Sequence, residues 1–199
     1  MSDLAATEGQ ARMLVLHMFY RRHLPHWQKI DSALFITWRL HGSLPRKILA
    51  RSLREKDLGK RFLFLDRELD KARYGPAWIK DPSLSRIVAD SLSHGAQQLR
   101  LYRLSAYVVM SNHVHILIWP RAYLSRITKS LKGYTARECN KLLSRTGESF
   151  WQDESFDHAV RNEDEFWRIK RYIEQNPVKA GLVENSADWP WSSAAGRLG

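Results

Sequence analysis

The chain has 199 residues, 44% of them hydrophobic, and a formal net charge of +11. This length suits one domain with a real core, and the charge favours a polyanionic partner such as nucleic acid. The single cysteine, Cys139, excludes an intrachain disulfide and a cysteine-based zinc cluster. Apolar runs stay short of the roughly 18 residues that span a bilayer, so we expect a cytoplasmic, nucleoid-associated protein without membrane contact.

The first half of the chain predicts one strand and several helices. Residues 1–20 are expected to be a flexible leader, and residues 21–199 a single domain with a C-terminal helical extension from about residue 160. A β-branched and aromatic run at 33–40 predicts a strand. Charged and apolar residues mixed over 46–71 predict one long or broken helix. Ser83 is a plausible N-cap for the helix that follows it.

A β-hairpin is predicted next, because two apolar runs flank Ser111-Asn112. Its strands cover 106–110 and 113–119. Helices follow at 124–143 and 164–175, with a loop over 146–158 between them, and Asn176-Pro177 ends the second helix. This order of elements predicts an α+β domain with a mostly antiparallel sheet.

Two histidines on the second hairpin strand, His113 and His115, carry the first chemical signal. Side chains alternate across a strand, so both imidazoles point to one face and could share a divalent metal ion. The alternative is that they are polar residues on the exposed face of a half-buried sheet. For a His-x-His pair alone, that alternative is favoured.

The helix over 124–143 adds a second signal. Apolar and aromatic residues recur on it at three- and four-residue steps, and this stripe should place Tyr134 and Glu138 towards the sheet, one turn apart. Glu138 could then complete a His, His, Glu ligand set, and Tyr134 could be a nucleophile. Alternatively, Tyr134 is a half-buried aromatic residue and Glu138 pairs with a neighbouring cation.

Several motifs resemble one family of DNA transposases. The segment Tyr107–Leu117 (YVVMSNHVHIL) resembles the HUH signature of the single-tyrosine transposases of the IS200/IS605 type, with Ser111 in place of the usual Pro. The match is closer to the REP-associated tyrosine transposases, and it covers residues 21–195. The further matching segments, in chain order, are Lys132–Asn140, Gly147–Gln152, Tyr172–Val183 and Trp189–Ser193.

The resemblance implies a fold and an activity. The fold is a ferredoxin-like antiparallel sheet flanked by helices, the HUH endonuclease fold, with the two histidines on a central strand. The activity is cleavage and rejoining of single-stranded DNA at REP hairpins through a covalent 5′-phosphotyrosine, with Mg²⁺ or Mn²⁺ as cofactor. A hairpin-DNA-binding protein without cleavage is the alternative, and a monomer is favoured over a homodimer.

The resemblance also implies site residues. Tyr134, His113 and His115 are the expected catalytic residues, and the third metal ligand is a polar residue about one turn after the tyrosine. Glu138 has that spacing, and Asn140 is the fallback. Should Tyr134 be structural, Tyr123 and Tyr172 remain as candidates. The residues expected to contact DNA are Arg21, Arg22, His23, His26, Trp27, Lys129, Lys132, Arg137 and Lys141.

Overall fold

The computed structural model describes residues 32–196, and these form a four-stranded antiparallel sheet covered by helices on both faces. The strands are β1 (Leu34–Arg39), β2 (Tyr102–Val109), β3 (His113–Pro120) and β4 (Phe156–Ala159). The helices are α1 (Arg46–Ser52), α2 (Leu58–Asp70), α3 (Pro82–Gln97), α4 (Leu124–Leu142), α5 (Glu163–Glu174) and α6 (Asn176–Lys179). The leader and the expected DNA contacts between Arg21 and Trp27 lie outside the described residues.

The sheet has the spatial order β2-β3-β1-β4, with every neighbouring pair antiparallel. With the helices between the strands, this is the split β-α-β arrangement of a ferredoxin-like fold, so the predicted fold class is confirmed. Strand β3 lies between β2 and β1. In the register, Thr37 of β1 and Val108 of β2 both face His115 across the strands.

The two faces of the sheet have separate cores. On one face, called the apolar face here, Val114 and Ile116 pack with Ile127 and Leu131 of α4 and with residues of α3. On the other face, called the histidine face here, the side chains of β1 and β3 meet α2 and α5. There the ring of Phe35 lies against Phe62 of α2 and stacks on His115.

Aspartates begin two of the helices. The Asp57 carboxylate accepts hydrogen bonds from the Gly59 and Lys60 backbone N–H groups, both at 3.0 Å, and starts α2. Asp81 starts α3 in the same way, accepting from the Ser83 N–H at 2.8 Å. The prediction of Ser83 as N-cap is therefore two residues late, because Pro82 is tolerated at the first helical position, which needs no N–H partner.

Strand β4 falls within the predicted loop at 146–158 and just beyond it. It has four residues and pairs along its length with β1 alone, from Leu34↔Ala159 to Thr37↔Phe156. Asp157 and His158 give it a polar character, and such a short edge strand lacks the apolar alternation that identifies a buried one.

Among the helices of residues 32–196, none combines the length and apolar character that crossing a bilayer requires.

We expect Gly95→Ala to destabilise the fold, although alanine normally favours a helix. A Cβ at Gly95 would lie 2.5 Å from the Tyr102 hydroxyl, which is fully buried and donates to the Leu92 carbonyl at 2.8 Å. Overpacking of this kind costs about 1–3 kcal/mol. Gly133→Ala in α4 is the matched control, since a Cβ there meets nothing within 4 Å. The control should raise the free energy of unfolding, measured in urea, by about 0.5–1 kcal/mol. Equal effects of the two substitutions would contradict the prediction.

Candidate metal and nucleophile site

His113 and His115 are fully buried on the histidine face, with ring centroids 4.7 Å apart. The alternative of an exposed polar face is therefore wrong. They are buried because β3 is an inner strand and α2 and α5 cover this face of the sheet. A buried imidazole needs hydrogen-bond partners for both ring nitrogens, and these partners define what the site can hold.

The Nδ1 atoms of both imidazoles have partners within the fold. His113 Nδ1 lies 2.7 Å from Asn112 Oδ1, and the Asn112 amide in turn donates to the Leu69 carbonyl at 3.0 Å. His115 Nδ1 lies 2.7 Å from the Thr37 hydroxyl. His113 Nδ1 donates to Asn112 Oδ1, so the His113 lone pair is on Nε2 and faces α2, as in metal-ligating histidines. His115 presents the same lone pair when its Nδ1 donates to the Thr37 hydroxyl.

Two carboxylates of α2, one turn apart, meet those Nε2 atoms. Asp66 Oδ1 lies 3.2 Å from His115 Nε2 and 3.7 Å from His113 Nε2, and Asp70 Oδ1 lies 3.6 Å from His113 Nε2. The ligand atoms of Asp66, His113 and His115 all lie within 4.8 Å of one another. Asp66 is therefore the carboxylate that the structure brings to the two imidazoles.

Several buried polar atoms of this cluster have no hydrogen-bond partner among the described residues. They are Asp66 Oδ1, Asp70 Oδ1, His113 Nε2 and Asn176 Oδ1. Leaving a buried polar atom without a partner costs free energy, and a divalent cation between these atoms would satisfy them together. Two imidazoles with carboxylate oxygens suit Mn²⁺, while Mg²⁺ prefers oxygen ligands alone. The residues present thus fit a divalent metal ion.

Burial and mutual charge set the ionisation of the cluster. Burial, together with the neighbouring His115, lowers the pKa of His113 to about 3, so His113 is neutral near pH 7. Burial alone would raise the pKa of Asp66, but the adjacent His115 and His113 lower it to about 2. Burial and the charge of Asp66 raise the pKa of Asp70 to about 9. Without metal, one carboxylate is ionised and its neighbour is protonated.

Tyr172 of α5 lies against the same cluster. Its hydroxyl donates a hydrogen bond to Asp66 Oδ2, and its ring centroid is 5.9 Å from that of His115. Burial, and then the charges of Asp66 and Asp70, raise the pKa of the phenol well above its usual range. The Lys179 ammonium sits over the ring, 4.4 Å from its centroid. Tyr172 is thus the tyrosine that the structure brings to the histidines.

Asn176 is the polar residue one turn after Tyr172. It is fully buried at the start of α6, and its Nδ2 lies 3.5 Å from His115 Nε2. The resemblance implies a metal ligand at this spacing from the tyrosine. Counted from Tyr172 rather than Tyr134, that position is Asn176.

The predicted inward packing of Tyr134 and Glu138 is wrong. Helix α4 packs on the apolar face, with Thr135 and Cys139 turned inward, and 47% of Tyr134 is exposed. A step of three residues from Leu131 leads to Tyr134, and a step of four leads to Thr135. Both steps are compatible with one face of a helix, so periodicity alone does not choose between them. Thr135 turns inward because its hydroxyl accepts a hydrogen bond from Trp151 Nε1 at 2.9 Å. The sheet therefore separates Tyr134 from the histidines.

The other predicted residues of α4 and its start also lie away from the cluster. Glu138, the expected third ligand, is ion-paired with Arg137 at 2.8 Å and Lys141 at 3.1 Å, as the alternative interpretation held. Asn140 is buried but donates to the Glu148 carbonyl at 2.7 Å. Tyr123 is 66% exposed just before α4. These side chains cannot join the histidines without a rearrangement across the sheet.

The basic residues of α4 lie on its outer surface. Arg137 and Lys141 have exposed side chains, and Lys129 is exposed. The Lys132 ammonium donates to the carbonyls of Gln152 and Asp153, at 2.7 and 2.8 Å. It therefore holds the loop before β4, while DNA contacts by all four cations stay predictions.

The sequence prediction misses Asp66 and Asp70. The available signal is a pair of acids four residues apart on one helix, within the segment 46–71, whose pattern otherwise indicates only a charged helix. What the sequence did not reveal is that this face of α2 is turned inward onto β3. Acids on an amphipathic helix are normally on its solvent face, so the pair gave no reason to expect burial.

We expect Asp70→Asn to reduce the loss of stability of the metal-free protein as pH rises. The folded state holds the Asp70 proton up to about pH 9, whereas the unfolded state releases it near pH 4. The free energy of unfolding therefore falls as pH rises from about 4 towards 9. In EDTA, the wild type should lose roughly 2–4 kcal/mol more than the variant between pH 5 and 8. Urea unfolding at several pH values measures this. Parallel curves would mean that Asp70 ionises freely.

Comparison with known proteins finds similarity to the same family that the motifs resemble. Residues 81–176 match the family model described as IS200-like transposase. Over 99 residues the chain is 32% identical to the REP-associated tyrosine transposase of Escherichia coli (strain K12), covering 47% of this chain and 55% of that protein. A relative from Haemophilus influenzae (strain Rd), also described as REP-associated, is 31% identical over 99 residues, covering 44% and 56%. The match thus spans just over half the length of these relatives.

A solved structure shares the fold. It is a REP-associated tyrosine transposase bound to a REP hairpin, with a TM-score of 0.51 and 20% identity, and the match covers 89% of this chain and 82% of that one. The segment 81–176 contains both histidines, Tyr134, Tyr172 and Asn176, whereas Asp66 and Asp70 precede it.

Proposed function

Since the resemblance to the IS200-like, REP-associated tyrosine transposases is confirmed, we propose that this protein cleaves and rejoins single-stranded DNA at REP-type hairpins, with a divalent metal ion and a covalent 5′-phosphotyrosine intermediate. One observation carries the proposal. The Tyr172 hydroxyl, the Asp66 carboxylate and the Nε2 atoms of His113 and His115 meet in one buried cluster. Nucleophile, acceptor and metal ligands are thereby side by side.

His113, His115 and Asp66 are the proposed metal ligands, and Asn176 supplies a further oxygen. Mn²⁺ or Mg²⁺ bound there would withdraw charge from the scissile phosphate and orient it for in-line attack. Asp66 takes the role of third ligand that was predicted for Glu138. The His115 ring is held by Thr37 on the neighbouring strand, so the ligands are positioned by the rigid centre of the sheet.

Tyr172 is the proposed nucleophile. Its hydroxyl oxygen forms a bond to phosphorus as the phosphorus–O3′ bond breaks, and the phenol proton passes to Asp66 Oδ2, which already accepts it in a hydrogen bond. The leaving 3′-oxygen takes a proton from water and becomes a free 3′-OH, and Asp66, whose low pKa favours the ionised form, gives its proton to the hydroxide that remains. The 5′-phosphate stays on Tyr172, and this ester retains the bond energy, so rejoining needs no nucleotide cofactor.

Lys179 is proposed to assist Tyr172. Its ammonium over the Tyr172 ring places positive charge against the phenol that would carry the phosphotyrosine ester. Burial lowers the pKa of Lys179, whereas the facing Asp66 and Asp70 carboxylates oppose that change. A cation held between these carboxylates and the tyrosine would offset the charge of the incoming phosphate.

The partner in this proposal is a single-stranded DNA hairpin. The formal net charge of +11 favours a phosphate backbone, and the exposed Lys129, Arg137 and Lys141 are candidates for those contacts. Such contacts supply affinity without sequence choice. The protein is proposed to act as a monomer in the cytoplasm, and sedimentation with and without hairpin DNA would test the oligomeric state.

The alternative is a hairpin-DNA-binding protein without cleavage. The observation in its favour is that the pKa of the Tyr172 phenol is raised by burial and by two carboxylates, which makes the metal-free phenol a poor nucleophile. A chain that had lost the metal would keep the fold and the basic surface. It would bind a hairpin and leave it uncut.

A covalent-adduct assay decides between the two. A labelled hairpin from the DNA flanking the gene is incubated with the protein and Mn²⁺, and the products are separated on a denaturing protein gel. We expect a labelled band at the mass of protein plus DNA, absent in EDTA and absent with a scrambled strand that forms no hairpin. Retention of the hairpin on a native gel, with no adduct in Mn²⁺ or Mg²⁺, would favour the binding protein.

A further inference from the structure

A small apolar cavity adjoins the cluster on the histidine face. Its volume is about 180 Å³, and it lies between α1, α2 and the β1–β4 edge of the sheet. Leu44, Leu49, Leu58 and Leu65 form part of its wall. The residues that it shares with the cluster or its immediate surroundings are Thr37, Phe62 and Asp66.

Aromatic rings form one side of this cavity. Phe62 of α2 and Phe156 of β4 stack on each other, with centroids 4.1 Å apart and an angle of 23° between planes. Aromatic and leucine side chains offer flat apolar surface, which suits another planar ring and does not suit a phosphate or a hydrated ion. The occupant should therefore be apolar on its faces.

Polar groups line the same cavity. Besides Arg61 and Ser155, they come from Arg39, Gln152 and Glu154, of which Glu154 is exposed. Together they supply donors from a guanidinium and an amide, and acceptors from an amide and a carboxylate. Lys132 fixes the loop that carries two of them, through its bonds to the carbonyls of Gln152 and Asp153. The occupant should thus have a polar edge that both donates and accepts.

We propose that this cavity, called the base pocket here, holds one unpaired nucleobase of the DNA strand next to the scissile phosphate. A nucleobase has two apolar faces and an edge of hydrogen-bond donors and acceptors, and proteins bind unpaired bases by stacking and by edge contacts. The volume is below the roughly 300–1,000 Å³ of pockets for drug-sized ligands. A cavity of this size fits a single ring system better than a peptide segment of a partner protein.

The position of the base pocket gives it a role in the proposed reaction, on which this inference rests. Asp66 lines the pocket and also touches Tyr172, His113 and His115. A base held against Phe62 therefore leaves its own phosphate within a short span of the nucleophile. Fixing the base positions the scissile bond and selects which phosphate is attacked.

Fluorescence of 2-aminopurine tests the base pocket without requiring cleavage. Hairpins are made with this base at each unpaired position beside the hairpin foot in turn, and they are titrated with the full chain in EDTA. We expect the emission to change at one position when the hairpin binds, because the base enters the pocket and stacks. Leu49→Trp fills the pocket and should abolish that change, weakening binding roughly tenfold.

Leu53→Trp is the matched control. Leu53 follows α1 directly, it is 64% exposed and it does not line the pocket, so the same substitution there should leave the signal and affinity unchanged. Circular dichroism of both variants checks the fold. The base pocket is refuted if no position responds in the wild type, or if Leu49→Trp and Leu53→Trp behave alike.

The two proposals fail in different ways. A covalent adduct in Mn²⁺, with no position responding to 2-aminopurine, removes the base pocket and leaves the transposase. A position that responds in the wild type and not in Leu49→Trp, with no adduct, keeps the base pocket in a hairpin-binding protein. Gln152→Ala should shift the preferred base at that position without abolishing stacking, and an unchanged preference would remove the amide from base selection.

Discussion

Tyr172→Phe is expected to abolish the covalent DNA adduct while hairpin binding persists. The substitution removes only the oxygen that attacks phosphorus, and removal of a nucleophile lowers a catalysed rate by about a thousandfold or more. The ring contacts with Phe35, Phe62 and His115 remain, so the packing of α5 should hold. The measurement is the adduct band in Mn²⁺, with hairpin affinity measured on the same preparation.

Tyr134→Phe is the paired substitution. Tyr134 is exposed on α4, and Arg137 lies 5.6 Å from its ring centroid, a contact that phenylalanine preserves. Adduct formation should stay within about twofold of the wild type, because surface substitutions away from a site have small effects. Loss of the adduct in Tyr134→Phe and its retention in Tyr172→Phe would reinstate the sequence prediction. The active state would then need α4 in a different place.

The second large effect concerns the metal ion. Mn²⁺ at a hundred times its dissociation constant should raise the free energy of unfolding by about 2.7 kcal/mol, because it binds the folded cluster alone. His113→Ala and Asp66→Asn should each remove most of this stabilisation. Each removes a ligand atom that has no hydrogen-bond partner among the described residues, namely His113 Nε2 or Asp66 Oδ1. Thermal unfolding with Mn²⁺ and with EDTA measures it without DNA.

Glu138→Gln and His94→Ala are the controls for the metal experiment. Glu138 pairs with Arg137 and Lys141, and His94 is exposed on α3, so both variants should keep the full Mn²⁺ stabilisation. Loss of stabilisation in Glu138→Gln, with Asp66→Asn unaffected, would return the third ligand to α4. Equal loss in His94→Ala would indicate non-specific binding of the cation.

The hairpin and its histidines were predictable from sequence because their causes are local. Two apolar runs around Ser111-Asn112 define the turn, and the two-residue period of a strand puts His113 and His115 on one face. The observed strands β2 and β3 confirm both. Local periodicity, however, gives no information on which helix covers which face of the sheet.

The face of the sheet that each helix covers determines which residues form the site. Leu131 fits a helical stripe through Tyr134 or through Thr135, and the contact with Trp151, far along the chain, selects Thr135. Likewise, the burial of Asp66 follows from the contact of α2 with β3, which joins distant segments. Tyr172 and Asn176 have the spacing that the resemblance implies, but Tyr134 has the same spacing to Glu138. Only tertiary contacts separate the two sets.

Burial of the cluster has a consequence for how DNA enters. His113 and His115 are inaccessible to solvent and Asp66 is 2% exposed, so a phosphate group reaches them only when α2 and α5 part. The histidines belong to an inner strand, which opens only with global unfolding, whereas helices at the surface open at lower free energy. Amide hydrogen exchange should therefore be faster in α2 than in β3. Amide hydrogens in the two halves of the site would then exchange on separate timescales. The imidazoles stay fixed in the sheet, whereas the carboxylates and the tyrosine lie on helices that move to admit the DNA strand.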